Sequence, residues 1–207
     1  FDVMPECVCG DPPAIKEMPL TAAIDYDLIV LAYQVWYLSP SAPTIALLET
    51  PQFQQIVRGK PVITLIGCRN MWLMAQERVK EWLATHDANH IDNVVLEDRG
   101  NNLLTLVTAP RWFLTGRKNP FWGIFPAAGI SEQEIKRADR FGKRLVEALK
   151  ENKEQGGHPL LTGLGAASVD PALIQPERIA RRIFKFWGAI IRKCGRPHDF
   201  ARKPVLL

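Results

Sequence analysis

The chain has 207 residues, of which 47% are hydrophobic and 23% charged, close to the globular average, so disorder, collagen-like repeats and disulfide-stapled miniproteins are excluded. No apolar run reaches the roughly 18 residues that a membrane-spanning helix requires. The formal charge of +4 is uneven: Glu177 to Lys203 holds nine Lys or Arg against two acidic residues, net +7, and everything before it sums to −3. This pattern describes a mildly acidic body with a basic C-terminal element that meets an anionic surface.

The opening stretch, residues 1 to 25, carries Pro5, Gly10, Pro12, Pro13 and Pro19 with little periodicity and reads as an irregular lead-in. The chain begins at Phe1 without a charged and apolar leader, so no signal peptide is expected, and the sequence reads as cut from something longer. Cys7, Cys9, Cys68 and Cys194 lack the density of a disulfide framework, which points to a reducing, cytoplasmic compartment. The four histidines show no paired ligand spacing, and no metal site is expected.

Order begins after Asp27. Leu28 to Tyr33 is continuously apolar, the texture of a strand buried on both faces of a parallel sheet. Similar runs return at Pro61 to Gly67 and Asn93 to Glu97, spaced by about the length of a strand plus a crossover helix. Between them, Pro43 after Ser41 and Pro51 after Thr50 suit the first positions of two short helices. Asn70 can cap a third, whose apolar face is Trp72, Ala75, Val79, Trp82 and Leu83. Residues 98–129 form a long non-repeating insert. Ser131 and Glu134 then make a capping box, followed by a stripe of Ile135, Ala138, Gly142, Leu145 and Leu149. Strand alternating with helix in this order predicts an α/β protein with a partial doubly wound parallel sheet, helices on both faces in three layers, and right-handed crossovers.

In such sheets ligands bind outside the carboxyl ends of the strands. The first strand end reads Gln34-Val35-Trp36-Tyr37-Leu38-Ser39, where adjacent aromatics can stack on a planar ring; the alternative is an aromatic loop packed on its own helix. The second, Gly67-Cys68-Arg69-Asn70, combines close backbone approach, a forked cation and a helix N-terminus, so Arg69 and Asn70 are candidate catalytic residues; the alternative is a capped helix beside a solvated Arg. Cys68 stands just before that N-terminus, a place that lowers a thiol pKa, although no histidine lies near it in sequence. The third, Asp98 to Asn102, is polar enough to rim a pocket or is simply a loop.

The runs YDLIVLAYQVWYL (Tyr26–Leu38), GKPVITLIGCRNMWLMAQERV (Gly59–Val79), DNVVLEDRGNNLLTLVTAPRWFLTG (Asp92–Gly116) and PAAGISEQEI (Pro126–Ile135) resemble the flavodoxin-fold family of dialkylresorcinol condensing enzymes. The resemblance covers most of the chain, and GCRNMWLMAQ is its most specific part. It implies a bacterial flavodoxin-like domain with strand order 2-1-3-4-5, an FMN cofactor, a lipid-like substrate, and a ketosynthase partner in making alkylated resorcinols. It also implies that Trp36 and Tyr37 match the flavin-stacking loop and that Gly67 to Asn70, Cys68 included, match the loop at the other edge of the ring; Gln34 and Ser39, beside the aromatics, are read as further cofactor-binding residues. Nothing before Asp25 reads as the opening strand and phosphate loop of that fold, so the first two strands are expected to lie outside this chain, with FMN weakly held and one sheet edge exposed. The expected chemistry is an FMN-dependent oxidation in aryl-lipid formation, because aromatising a cyclic diketone removes two electrons and a flavin accepts them. The reading from another class is a non-catalytic flavodoxin-like interaction module recruited to the membrane surface, whose basic helix brings a partner there.

The chain divides on this reading into a domain over residues 1–155 and a basic amphipathic segment over residues 156–207. In ERIARRIFKFWGAIIRK (Glu177–Lys193), Ile179, Ile183, Trp187 and Ile190 share a face while Arg178, Arg181, Arg182, Lys185 and Arg192 surround it. That is the composition of a helix in a membrane interface, with Arg181, Arg182, Lys185 and Trp187 as contacts, or of a helix docked on the sheet with snorkelling cations. The insert repeats the chemistry with Arg111, Trp112, Phe113, Arg117, Lys118, Phe121 and Trp122. A peripheral position on the inner face of the cytoplasmic membrane is expected. Without an accompanying motif, the basic charge is not read as a nucleic-acid site.

Overall fold

A computed structural model of the chain describes residues 2–16, 24–98, 102–125, 127–202 and 204. Its centre is a four-stranded, mostly parallel open sheet in an α/β arrangement, formed by β1 (Ile29–Trp36), β2 (Ser39–Pro40), β3 (Pro61–Cys68) and β4 (Asn89–Glu97) in the order β2-β1-β3-β4. β1, β3 and β4 run parallel, and the two-residue β2 folds back antiparallel on the end of β1. The three apolar runs are thus strands, and β1 extends three residues beyond the run that announced it.

One face of the sheet is covered by α2 (Ala42–Leu48), α3 (Pro51–Val57) and α4 (Leu73–Thr85). Pro43 and Pro51 stand in the first turns of α2 and α3, where a missing N–H costs no helical bond, and the Thr50 hydroxyl accepts from the Phe53 amide at 3.4 Å. Leu31, Tyr33, Val62, Ile66 and Cys68 from the strands meet Leu48, Phe53, Val57, Ala75, Val79 and Leu83 there. The opposite face is covered over β3 and β4 by α7 (Asp139–Lys150) and the segment 160–166: Ile63, Ile91 and Val94 pack on Phe141, Ala148, Leu160 and Leu161. Asp92 ties this segment down by accepting the amides of Leu160 and Leu161 at 2.6 and 2.7 Å. The chain beyond residue 155 therefore shares the core of the chain before it.

Three expectations are corrected. β1, expected to be buried on both faces, is buried on one; Val30, Ala32 and Gln34 on the other are exposed. The expected open edge is that of Ile29–Gln34 away from β3, which has no strand beside it among the described residues and is not one of the three. The helix expected from Ser131 onward is two, α6 (Glu132–Arg137) and α7, and the stripe facing the core is buried Phe141 and Ala148 with half-buried Leu145, while Ile135 and Gly142 are exposed. Ser131 still caps α6 by accepting the Glu134 amide at 3.2 Å, whereas the Glu134 carboxylate turns to Arg137. The lead-in holds a helix, α1 (Met4–Cys9), too short to persist by propensity and held by burial of Met4, Pro5, Glu6, Cys7 and Val8.

α1 packs against α8 (Pro171–Lys193), which also contacts α4. A Cβ at Gly188 would lie 2.7 Å from Val8 Cγ2 and 3.4 Å from Pro5 Cα, so the two helices approach this closely because residue 188 has no side chain. The insert contains α5 (Asn102–Thr115) and a Phe121–Phe125 bridge with the two rings stacked at 4.6 Å.

Candidate functional site at the carboxyl ends of the strands

The first strand end is a tight hairpin. Tyr37 and Leu38, the two turn residues, have φ of 53° and 58°, the left-handed pair of a type I′ turn that Asn-Gly usually supplies. Burial sustains this strained backbone: Leu38 is buried, and Tyr37 meets the Phe184 ring of α8 edge-on at 5.9 Å beside Met4, Val8 and Ile191. Tyr37 is therefore part of the seam that docks α1 and α8 and is half-buried there. Ser39 is more deeply buried, at 1% exposure.

The second strand end divides in the same way. Cys68 points into the α4 core beside Trp72 and Ala75, and burial, reinforced by Glu97 and Glu177, pushes its thiol up to about 12. This shift runs opposite to the expected lowering of the thiol pKa, and a neutral buried thiol is a poor nucleophile. Alkylation of the native protein at neutral pH should modify the exposed Cys9 at least tenfold faster than Cys68, with Cys68 reacting only on denaturation; peptide mass spectrometry over a time course reads this, and equal rates would contradict the burial.

Arg69 and Asn70 form the half-buried bend after β3. α4 starts at Leu73, three residues after Asn70, and its N-terminal amides are served from elsewhere: Glu177 of α8 accepts the Met74 N–H at 2.8 Å. Asn70 lines a small cleft against α8 with Trp72, Asp170, Leu173 and Glu177. The helix N-terminus that was to favour developing negative charge beside Arg69 and Asn70 thus already holds a carboxylate, and the Asn70 cap is corrected. Burial raises the Glu177 pKa, while the Met74 and Leu73 amides and Arg181 oppose the rise. Arg181, on the docked side of α8 close to Glu177 and Arg78, is thereby removed from the surface contacts expected of it.

What the structure does bring together is Gln34, Trp36 and Gly67. Gln34 and Gly67 are register partners on the open face of the sheet, and the Trp36 indole N–H donates to Gln34 Oε1 at 3.2 Å along the same face. A Cβ at Gly67 would meet Ile130 Cδ1 at 3.6 Å. Ile130 also lines a cavity of about 520 Å³ with Glu97, Asp98, Lys118, Ala128 and Ser131, at the carboxyl end of β4. Its volume is that of a small-molecule site. Asp98 holds one wall by accepting the Gly129 amide at 3.1 Å. Arg99, Gly100 and Asn101 of the third loop lie outside the described residues.

Sequence reasoning missed Glu177, Ile130 and the role of Asp98. Asp98 had a signal, standing directly after the run Asn93 to Glu97. Glu177 had a fainter one, a lone acid at the head of a run that is otherwise basic. Ile130 had none, because nothing local says that the residue just after the insert returns over Gly67.

Among the described residues no helix is long and apolar enough to cross a membrane, and no group of three or more His, Cys, Asp or Glu is placed to hold a metal ion. No protein-family model matches the chain, and no curated protein or solved structure is significantly similar to it.

Proposed function

We propose that the chain carries the ring-binding part of a flavodoxin-like, FMN-dependent oxidoreductase of the dialkylresorcinol condensing enzyme type, acting on a lipid-like substrate in aryl-lipid formation. The observation that supports this reading most is the adjacency of Gln34, Trp36 and Gly67 on an open sheet face beside the cavity at Asp98 and Ile130. These residues offer a planar ring a half-buried indole to stack on and an exposed side-chain amide for a ring heteroatom, beside Gly67, over which Ile130 stands. They do not fit the phosphate of FMN, because the α4 N-terminus is filled by Glu177. A bound flavin supplies the two-electron acceptor that aromatisation needs. The protein's own contribution is to orient the ring with Gln34 and Trp36 and to shield it with Ile130.

Replacing Trp36 by Ala should weaken flavin binding by about 1 to 3 kcal/mol, the loss typical of one aromatic anchor, in a titration followed by flavin fluorescence. Riboflavin should bind this chain within about threefold of FMN, since the phosphate contributes little without a helix N-terminus to receive it. An unchanged affinity in the Trp36 variant would remove the assignment. A second reading, a flavodoxin-like scaffold without chemistry, is favoured by the filled α4 N-terminus and the inert Cys68, and it stands if neither flavin binds.

A further inference from the structure

α8 presents three faces rather than the two of an ordinary surface helix. Glu177, Arg181, Phe184, Gly188 and Ile191 recur every three or four residues and make up the docked face, on the α4 amides, the Tyr37 ring and α1. Ile179, Ile183, Phe186, Trp187 and Ile190 fall within an arc of about 100° on another side. Four of them stand well out of the protein, at 56%, 51%, 63% and 47% exposure for Ile179, Ile183, Phe186 and Trp187. Arg178, Arg182 and Lys185, all exposed, lie along one margin of that arc. The helix carries six Lys or Arg against the single acid Glu177, which is buried on α4, so no acidic side chain of α8 reaches this surface.

We propose that this face of α8 seats the protein on an anionic lipid surface, with Phe186 and Trp187 entering the acyl boundary and Arg178, Arg182 and Lys185 meeting the headgroups. Charge complementarity selects this occupant. A second copy pairing through the same face about a two-fold axis would bring Arg182 and Lys185 against their own kind. A neutral apolar partner would leave the row of cations without counter-charge. A mixed surface of anionic headgroups over hydrocarbon satisfies both halves at once, and the docked face remains buried, so α8 need not leave its place to bind. Phe186 and Trp187 pack edge-to-face on each other at 6.0 Å and are both exposed, which leaves their outer surfaces available to enter the boundary. The inference is independent of the flavin reading.

The test is cosedimentation of the full chain with vesicles of phosphatidylcholine mixed with phosphatidylserine, and with vesicles of phosphatidylcholine alone. Binding is expected for the mixed vesicles and should fall steeply with added salt. Roughly tenfold weaker binding is expected both for Arg182→Gln/Lys185→Gln and for Phe186→Ala/Trp187→Ala. All four residues are exposed, so both variants should keep the unfolding midpoint and circular dichroism of the parent. The proposal is overturned if the parent does not bind, or if both double variants bind as it does. It is overturned equally if sedimentation velocity shows a dimer that Phe186→Ala/Trp187→Ala abolishes, which would give the face to a second copy.

Discussion

Arg202→Ala should lower the unfolding free energy by on the order of 3 kcal/mol, the cost of stranding a buried carboxylate by removing its partner. Arg202 is 1% exposed, and its guanidinium donates from Nη2 to Glu6 Oε1 at 2.7 Å and from Nη1 to Glu6 Oε2 at 3.3 Å. Its remaining donors reach the main-chain oxygens of Asp2 at 3.2 Å and Gly195 at 2.8 Å. One side chain thus joins α1, the turn after α8 and the chain's last described turn, Phe200–Arg202. Without it the Glu6 carboxylate stays buried at the base of α1 with its charge uncompensated. Urea unfolding measures the loss, and amide exchange in Met4–Cys9 should accelerate with it, because α1 is held chiefly by α8. Arg202→Lys should recover less than half, since an ammonium cannot reproduce the two-pronged contact. A midpoint shared by the Ala variant and the parent would refute the role.

Gln76→Leu should cost a comparable amount, about 3 kcal/mol, although it fills nearly the same space with a side chain suited to a core. Gln76 is the hub of a buried polar chain that crosses the sheet. The Tyr33 hydroxyl donates to its Oε1 at 2.6 Å, while its Nε2 donates to Thr64 Oγ1 at 2.8 Å and approaches His90 Nε2 at 3.2 Å. Thr64 Oγ1 in turn lies 3.0 Å from His90 Nε2 and from Asn93 Oδ1. Leucine leaves the Tyr33 hydroxyl and its neighbours buried without a partner, at about 1 to 3 kcal/mol for each unsatisfied group. Tyr33→Phe combined with Gln76→Leu should therefore be less damaging than the sum of the two, which a double-mutant cycle by urea unfolding measures.

The same chain sets a pH dependence. Burial, and after it the charge of Lys80, holds the His90 pKa below the ordinary value. Gln76 Nε2 and Thr64 Oγ1 both lie within hydrogen-bond distance of His90 Nε2, so the ring is held inside this buried chain in the folded protein. Below about pH 6.5 the unfolded chain takes up a proton that the folded chain refuses, so stability falls as pH drops through that range toward the folded value and is insensitive to this group above it. His90→Gln should flatten the slope of the melting temperature between neutral and mildly acidic pH.

The strands were legible in the sequence because Leu28–Tyr33, Pro61–Gly67 and Asn93–Glu97 are short apolar runs set apart by helical stretches, although in β1 only one face of the run is buried. The short helices were legible because Pro43, Pro51 and Ser131 act on their own first turns. The site was legible only in part. Alternation along a strand puts Gln34 and Trp36 on one face whatever surrounds them, but nothing local says which face stays open. That was decided by α7 and residues 160–166, which cover β3 and β4 and stop short of β1, and by α8, which draws Tyr37 into its seam and places Glu177 on the amides of α4. A side chain's neighbours within a turn or a strand are determined by the period of the backbone, and these the sequence determined. Which group from a hundred residues away satisfies a helix N-terminus, or which of two faces a helix buries, depends on how much apolar surface and how many polar partners the whole chain brings to that place, and only the tertiary structure decided it.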